Sequence, residues 1–248
     1  MGKAARNTAV RERVRAQREA EKRREKIRRI VTTVTVAVVA VAAIAAGWWY
    51  SAQQGRSETA TENLAPISRQ SDGSIVMAKA GVESPVLEIY EDFQCPACKL
   101  LEETSGPTIK NLAAEGRVKV VFHTVTIFGQ DPTRANSVRA AAAARCVPED
   151  KWMAYHDKLF EEQPSETVEG FKVDDLVGWG EDVGVSDPAF EKCVTSQQHA
   201  QAHTDNSDKV LKAENIQGTP TVRLNGTDLG DTAFSPAQLR EAVLQAAK

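Results

Sequence analysis

The sequence predicts an α/β domain with helices inserted in the middle of its strands, placed behind one N-terminal transmembrane helix. Three observations support this fold class. Residues 30–50 form an apolar stretch of membrane-spanning length, short apolar runs at 86–90, 118–122 and 221–224 have the character of strands, and the region between the last two runs is mostly helical in pattern. With 248 residues, 15 glycines and 10 prolines, the chain can form a globular core and is neither collagen-like nor wholly disordered.

Charge is distributed unevenly along the chain. Residues 1–29 contain 12 Lys and Arg against 4 Glu, so the formal charge of −3 averages a basic segment of +8 and a remainder of −11. A nucleic-acid arm is the alternative interpretation, but no aromatic residue is interleaved with these charges. Because the apolar stretch follows directly, we expect a cytoplasmic segment that contacts anionic membrane lipid, and no nucleic-acid partner.

Residues 30–50 predict the membrane span itself. At 1.5 Å per residue they extend about 31 Å, the thickness of a hydrocarbon core, and they end in the aromatic run Trp48–Tyr50. A cleaved signal peptide is the alternative, because Ala43–Ala45 offers an A-x-A-like site. The long apolar stretch and the bulky aromatics favour a retained single-pass anchor. The positive-inside rule then places the N-terminus in the cytoplasm and the C-terminal domain outside the cell membrane.

A polar segment separates the span from the folded domain. Residues 51–73 are weakly periodic and contain no large aromatic side chain, which predicts a tether with a reach of roughly 25–30 Å. Residues 74–248 are enough for a domain with its own core.

The first half of the domain is expected to run strand, helix, strand. Val86–Tyr90 is a short buried strand, and a helix follows the motif Cys95–Cys98. Gly106-Pro107 should kink or break this helix, and Glu115-Gly116 should end it. The alternating apolar residues of 118–122 form the second strand.

Helices are expected over about 124–215, as an insertion between the second and third strands. The first is a run of strong helix-forming residues, and the others carry aromatic stripes that we interpret as core and not as ligand contacts. The defining positions are Ala135–Cys146; Trp152, Tyr155, Leu159 and Phe160; Leu176, Trp179 and Val183; and Phe190 and Cys193 after Asp187-Pro188.

The C-terminal part predicts a hairpin and a last helix. Asn225-Gly226 joins the strands 221–224 and 227–229, which is a strong hairpin signal. Ser235 is placed as the N-cap of the helix, with Pro236 at its first position and Gln238 completing a capping box.

Cys95 and Cys98 are the candidate catalytic residues. A thiol at the start of a helix is stabilised as a thiolate by free N–H groups and the helix dipole, which lowers its pKa from about 8.5 to about 3.5–7.5. Cys98 lies one turn later, within reach of a mixed disulfide at Cys95, so the pair can carry two electrons without a cofactor. A purely structural disulfide gains little from so short a loop.

Zinc is the other alternative for these cysteines, and we expect no metal. A zinc site would need a second pair of ligands, yet Cys146 and Cys193 each stand alone in the sequence. His199 and His203 form an unsupported i, i+4 pair, which we interpret as an exposed helix face.

Three motifs together resemble the DsbA-type thiol–disulfide oxidoreductases, most of all their membrane-anchored bacterial members. They are Tyr90–Lys99 (YEDFQCPACK), Trp152–Phe160 (which includes His156-Asp157) and Gly218–Val222 (GTPTV). The resemblance covers about 74–248 and implies a thioredoxin fold with a helical domain inserted after the second strand.

The resemblance also assigns roles to individual residues. It implies that Cys95 is the nucleophile, Cys98 the resolving thiol and Pro220 a cis-proline that faces them. Thr219 would then offer backbone hydrogen bonds to an extended substrate segment.

One departure keeps the direction of electron flow open. Strongly oxidising members of this family carry His where this chain has Ala97, so the imidazolium that stabilises their thiolate is absent. The chain could be an oxidase of exported proteins, reoxidised by a quinone-linked membrane partner of the DsbB or VKOR type. It could also be a reductase or isomerase, or an anchored module without activity. Glu88, Glu91 and Asp92 could include a proton acceptor for Cys98, although solvated or structural roles are favoured for them.

The remaining cysteines predict a structural disulfide. If Cys95 pairs with Cys98, only Cys146 and Cys193 are left of three possible connectivities, and an oxidising compartment would preserve their bond. Two buried free thiols are the alternative.

Overall fold

The computed structural model describes residues 64–248. The predicted basic segment 1–29, the predicted anchor 30–50 and most of the predicted tether lie outside these residues. Within 64–248, every helix is too short or too polar to cross a bilayer.

The described strands form one six-stranded mixed sheet in the order β1-β2-β4-β3-β5-β6. Its central pair, β3 and β4, is parallel, and the remaining neighbours are antiparallel. The strands are β1 (Ile67–Arg69), β2 (Ile75–Met77), β3 (Val86–Glu91), β4 (Lys119–Thr124), β5 (Thr221–Leu224) and β6 (Thr227–Asp228). The predicted hairpin is confirmed, with Asn225 and Gly226 at φ of 48° and 78° between β5 and β6.

The predicted tether 51–73 extends too far, because β1 lies inside it. Ile67 pairs with Met77 and Arg69 with Ile75, so the fold begins before residue 74. The turn between β1 and β2 is closed by Asp72, whose carboxylate accepts hydrogen bonds from the backbone N–H and the hydroxyl of Ser74. A strand of three residues is too short to show a period of two in the sequence.

Seven α-helices complete the described domain, and five of them lie between β4 and β5, where the helical insertion was expected. They are α1 (Pro96–Ala114), α2 (Thr133–Ala144), α3 (Glu149–Glu161), α4 (Val173–Asp182), α5 (Pro188–Thr195), α6 (Ala200–Ala213) and α7 (Pro236–Ala246).

Two expectations about helix ends and breaks are wrong. The expected break at Gly106-Pro107 is absent, because α1 is continuous over 19 residues, and Leu101 before the proline and Ile109 after it are both buried in the core. Ser235 does precede Pro236 at the start of α7, but its side chain makes no capping hydrogen bond, so the capping box is absent.

The buried apolar side chains form two clusters. One joins the sheet to α1 and α7, and includes Leu87, Ile89 and Leu239. The other fills the inserted helices and reaches Phe93 and the two cysteines that follow it. The cysteine motif therefore lies where the sheet meets the helical insertion.

Candidate functional site

Cys95 is the N-cap residue of α1, directly after β3. Pro96 occupies the first helical position, and the carbonyl of Cys95 accepts hydrogen bonds from the backbone N–H groups of Cys98 and Lys99 at 3.1 and 3.2 Å. The Cys95 N–H donates to the Asp92 carbonyl at 2.9 Å. The sulfur of Cys95 therefore lies at the positive end of a long helix.

The two thiols are free in this structure and differ sharply in acidity. The pKa of Cys95 is lowered to about 6, mainly because the Cys98 thiol donates a hydrogen bond to its sulfur. Burial alone would raise this pKa. The Thr219 side chain and the backbone N–H groups of Cys98 and Ala97 lower it further. Burial and the neighbouring Cys95 sulfur raise the pKa of Cys98 well above its usual value. Cys95 is thus suited to be the attacking or leaving thiolate, and Cys98 the protonated partner.

The loop before β5 faces the cysteines. The Thr219–Pro220 peptide bond is cis, and the Cys95 thiol donates a hydrogen bond to the Thr219 carbonyl at 3.2 Å. The Thr219 hydroxyl is buried and has no hydrogen-bond partner among the described residues. The structure thus brings together Cys95, Thr219 and Pro220.

A glutamine that the sequence analysis missed holds the cysteine loop in place. Gln163, just after α3, donates from its amide to the carbonyls of Phe93 and Cys95 at 2.7 and 3.0 Å. In the opposite direction, the Gln94 amide donates to the Pro164 carbonyl at 3.0 Å. No local pattern marks a lone glutamine about 70 residues from its partners, so only the tertiary fold shows its role.

The three acidic residues considered as proton acceptors have different surroundings. Asp92 is buried and accepts from the backbone N–H groups of Gln94 and Ile127, and burial raises its pKa to about 7. Glu91 is buried too, and its carboxylate lies 2.9 Å from Nε2 of His156. Glu88 accepts from the Tyr90 hydroxyl at 3.3 Å. Of the solvated and structural roles favoured for these residues, burial leaves only the structural one for Asp92 and Glu91.

A buried group of charges lies beside the cysteine loop. Nδ1 of His156 is 3.1 Å from Asp157, whose two oxygens are 2.6 and 2.7 Å from Nζ of Lys110. Burial would lower the pKa of His156, but the Glu91 charge and the bonds to Asp157 and Glu91 raise it to about 10. Burial raises the pKa of Glu102 to about 7, against the attraction of His156 and Lys110. The sequence pointed to this group through Glu91 in the first motif and the His156-Asp157 dipeptide of the second, but not to Lys110 or Glu102.

The other cysteines are joined to each other. Cys146 after α2 and Cys193 in α5 form a disulfide, with 2.06 Å between their sulfurs. His199 lies next to this disulfide. The expectation that His203 is exposed is wrong. Its ring is buried, Nε2 lies 2.9 Å from the Thr126 hydroxyl, and burial lowers its pKa to about 3. The two histidines therefore face different surroundings.

Comparison with known proteins agrees with this geometry. A thioredoxin family model matches residues 81–244, which include both cysteines and the Thr219–Pro220 bond. The chain is similar to the probable disulfide bond formation protein D of Bacillus cereus, 27% identical over 183 residues, or 71% of this chain and 79% of that protein. Among solved structures it is similar to oxidised DsbA of Mycobacterium tuberculosis, with 30% identity, a TM-score of 0.59 and coverage of 74% of this chain and 92% of that one. The reduced disulfide bond oxidoreductase DsbG of the same organism has the same identity and TM-score, over 73% and 86% of the two chains.

Proposed function

This chain belongs to the thioredoxin family, as a thiol–disulfide oxidoreductase of the DsbA type, and from that premise we propose that it introduces disulfides into exported proteins. The observation that carries the proposal is the place of Cys95 at the start of α1, where the Cys98 thiol, the Thr219 side chain and backbone N–H groups lower its pKa to about 6. Stabilising the reduced form of a dithiol raises its reduction potential, so the disulfide form becomes a better donor.

The reaction proceeds by two exchanges of sulfur bonds. A thiolate of the substrate attacks Sγ of Cys95, the Cys95–Cys98 bond breaks, and Cys98 leaves and takes up a proton. A second substrate thiolate then attacks the substrate sulfur of the mixed disulfide, and Cys95 leaves as a thiolate. The substrate loses two electrons to the dithiol pair, which a quinone-linked membrane partner of the DsbB or VKOR type reoxidises.

The surface around Cys95 suits a flexible substrate. Leu100, five residues after Cys95 in the same helix, is half exposed and offers an apolar contact to an unfolded segment. In the mixed disulfide the Cys95 sulfur no longer carries a proton, so the Thr219 carbonyl is released to accept from a substrate backbone N–H. Neither contact needs a defined substrate sequence, which fits a broad set of reduced exported proteins.

Ala97 does not remove the support for an oxidase. The Cys98 thiol, the Thr219 side chain and two backbone N–H groups lower the pKa of Cys95 without a side-chain cation. A reductase or isomerase would use the same cysteines in the reduced state. The lowered pKa of Cys95 argues against a module without activity.

The redox state of the pair in growing cells tests the direction. Cells are quenched in acid, free thiols are alkylated, and the Cys95–Cys98 pair is separated into its reduced and oxidised forms. We expect the oxidised form to dominate, with Cys95→Ala as the marker of a chain that cannot form the bond. A predominantly reduced pair would replace the oxidase by the reductase or isomerase.

We further propose that residues 30–50 are a retained membrane anchor, with residues 1–29 in the cytoplasm and the catalytic domain outside. The basic segment before the apolar stretch supports this orientation. Protease added to intact spheroplasts should digest the domain and leave a short protected fragment. Complete protection until the membrane is opened would reverse the topology.

A further inference from the structure

Three buried side chains beside the active-site loop point toward one another. They are Glu91 at the end of β3, Glu102 in α1 and His156 in α3, and their carboxylate oxygens and ring nitrogen lie within 4.8 Å of one another. The three come from different elements of the fold, so the packing of strand and helices fixes their spacing. Glu102 lies one helical turn after Cys98, which places the cluster next to the cysteine pair.

The carboxylates of this cluster lack the partners that buried charges need. Both oxygens of Glu102 and Oε2 of Glu91 are buried and accept no hydrogen bond from the described residues. Lys110 does not satisfy Glu102, since its ammonium lies 3.9 Å away and is bonded to Asp157 instead. Buried carboxylate oxygens are almost always paired, hydrogen-bonded or bound to a metal.

Helix α1 makes room for the Glu102 carboxylate at a specific place. A Cβ on Gly106, one turn further along, would lie 2.6 Å from Oε2 of Glu102. The glycine therefore leaves the space in which this carboxylate turns toward Glu91 and His156, although glycine inside a helix is unfavourable.

His156 has the second contact that is typical of a metal ligand. Its Nδ1 lies 3.1 Å from Asp157, so a proton on Nδ1 directs Nε2 toward the two glutamates. The 2.9 Å between Nε2 and Oε1 of Glu91 is close to the spacing of two donors on one ion, about 3.3 Å for bonds of about 2.0–2.1 Å in a tetrahedron. Without an ion, a proton lies between these two atoms.

We propose that Glu91, Glu102 and His156 bind one divalent transition-metal cation beside the Cys95–Cys98 pair, and that Zn²⁺ matches the site best. Carboxylates and imidazole are both among the donors that bind Zn²⁺, whereas Ca²⁺ and Mg²⁺ require more oxygen ligands. Three protein ligands leave a fourth position for water. A groove of about 300 Å³, lined by Glu102, Lys110 and Asp157 among others, lies beside the cluster.

The site is distinct from the cysteines and histidines that the sequence analysis considered as zinc ligands. Cys146 and Cys193 are joined to each other, and the ring of His203 bonds to Thr126. Neither half of that set contributes a ligand to the cluster of Glu91, Glu102 and His156.

The test is a Zn²⁺ titration of the full chain in detergent, with Cys95→Ala and Cys98→Ala to remove the thiols that would also bind zinc. Calorimetry should show one Zn²⁺ per chain and no Ca²⁺. Glu102→Gln removes a direct ligand and should weaken zinc binding by more than about 100-fold. Asp157→Asn changes only the residue that orients His156 and should weaken it by about 10- to 100-fold.

Glu103→Gln is the matched control, since its exposed carboxylate is the next residue of the same helix. It should leave zinc binding unchanged. Equal binding by the Glu102 and Glu103 variants, or no zinc bound at all, would overturn the proposal. If Glu102→Gln does not fold, X-ray absorption of the zinc-loaded cysteine-free protein decides. One imidazole nitrogen with oxygen donors supports the site, and two or more imidazoles contradict it.

Discussion

The Cys95 thiol donates a hydrogen bond to the Thr219 carbonyl, with 3.2 Å between Sγ and the oxygen. This contact joins the start of α1 to the loop before β5, 124 residues away. The Thr219 hydroxyl is also available, because it is buried and has no hydrogen-bond partner among the described residues. As a proton donor, that hydroxyl favours the thiolate, and its influence can be measured.

The first prediction concerns the reactivity of Cys95 with pH. With a pKa lowered to about 6, the thiolate should dominate at pH 7, and alkylation by iodoacetamide should slow as the pH falls through about 6. Cys98→Ala should move this midpoint toward the usual value, since the Cys98 thiol is the largest cause of the shift. The rate of alkylation against pH measures both. If Cys98→Ala left the pH midpoint of alkylation unchanged, the Cys98 thiol would not be the cause of the lowered pKa of Cys95.

The second prediction isolates the Thr219 side chain. Thr219→Val keeps the backbone carbonyl and the shape of the side chain but removes the hydroxyl, so the pKa of Cys95 should rise above about 6. Thiolate absorbance against pH gives this pKa directly. The reduction potential against glutathione should fall in parallel, because the reduced form is less stable. Thr221→Val is the control, since its hydroxyl bonds to the Gly218 carbonyl at 2.7 Å and not to the cysteine. An equal shift in both variants would assign the effect to altered packing.

Sequence reasoning found the parts of this site that local chemistry determines. The position of Cys95 between a strand and a helix follows from apolar runs and a proline, and the Asn225-Gly226 turn follows from its need for positive φ. It did not find β1, since three residues show no periodicity.

Buried charge was the larger omission. Glu91 and His156 are 65 residues apart, and in the sequence each is an ordinary polar residue. Their pairing depends on how α3 packs against the end of β3, which hydrophobic patterns do not specify. The burial of His203 was missed for the same reason. The Thr126 hydroxyl that is its hydrogen-bond partner in the interior lies far away in the sequence.

The third prediction distinguishes the two active-site thiols by trapping. Cys98→Ala leaves Cys95 able to form mixed disulfides that no neighbouring thiol can resolve, so substrates should accumulate on the chain. Cys95→Ala should trap none, because the thiol of Cys98 is buried and its pKa is raised. Non-reducing electrophoresis of acid-quenched cells shows the adducts. Equal adducts from both variants would mean that Cys98 is also a nucleophile toward substrate.

The last prediction concerns the disulfide between Cys146 and Cys193. It closes a loop over a sequence separation of 47, which is worth up to about 4 kcal/mol in the chain-entropy model. Replacing both residues by Ala should lower the free energy of unfolding by about 2–4 kcal/mol and leave the alkylation profile of Cys95 unchanged. Denaturant unfolding monitored by tryptophan fluorescence measures the loss. The control is Cys95→Ala with Cys98→Ala, measured on oxidised protein, which removes a much shorter loop and should cost less. An unchanged unfolding midpoint in the Cys146 and Cys193 variant would show that helix packing alone holds α2 and α5 together.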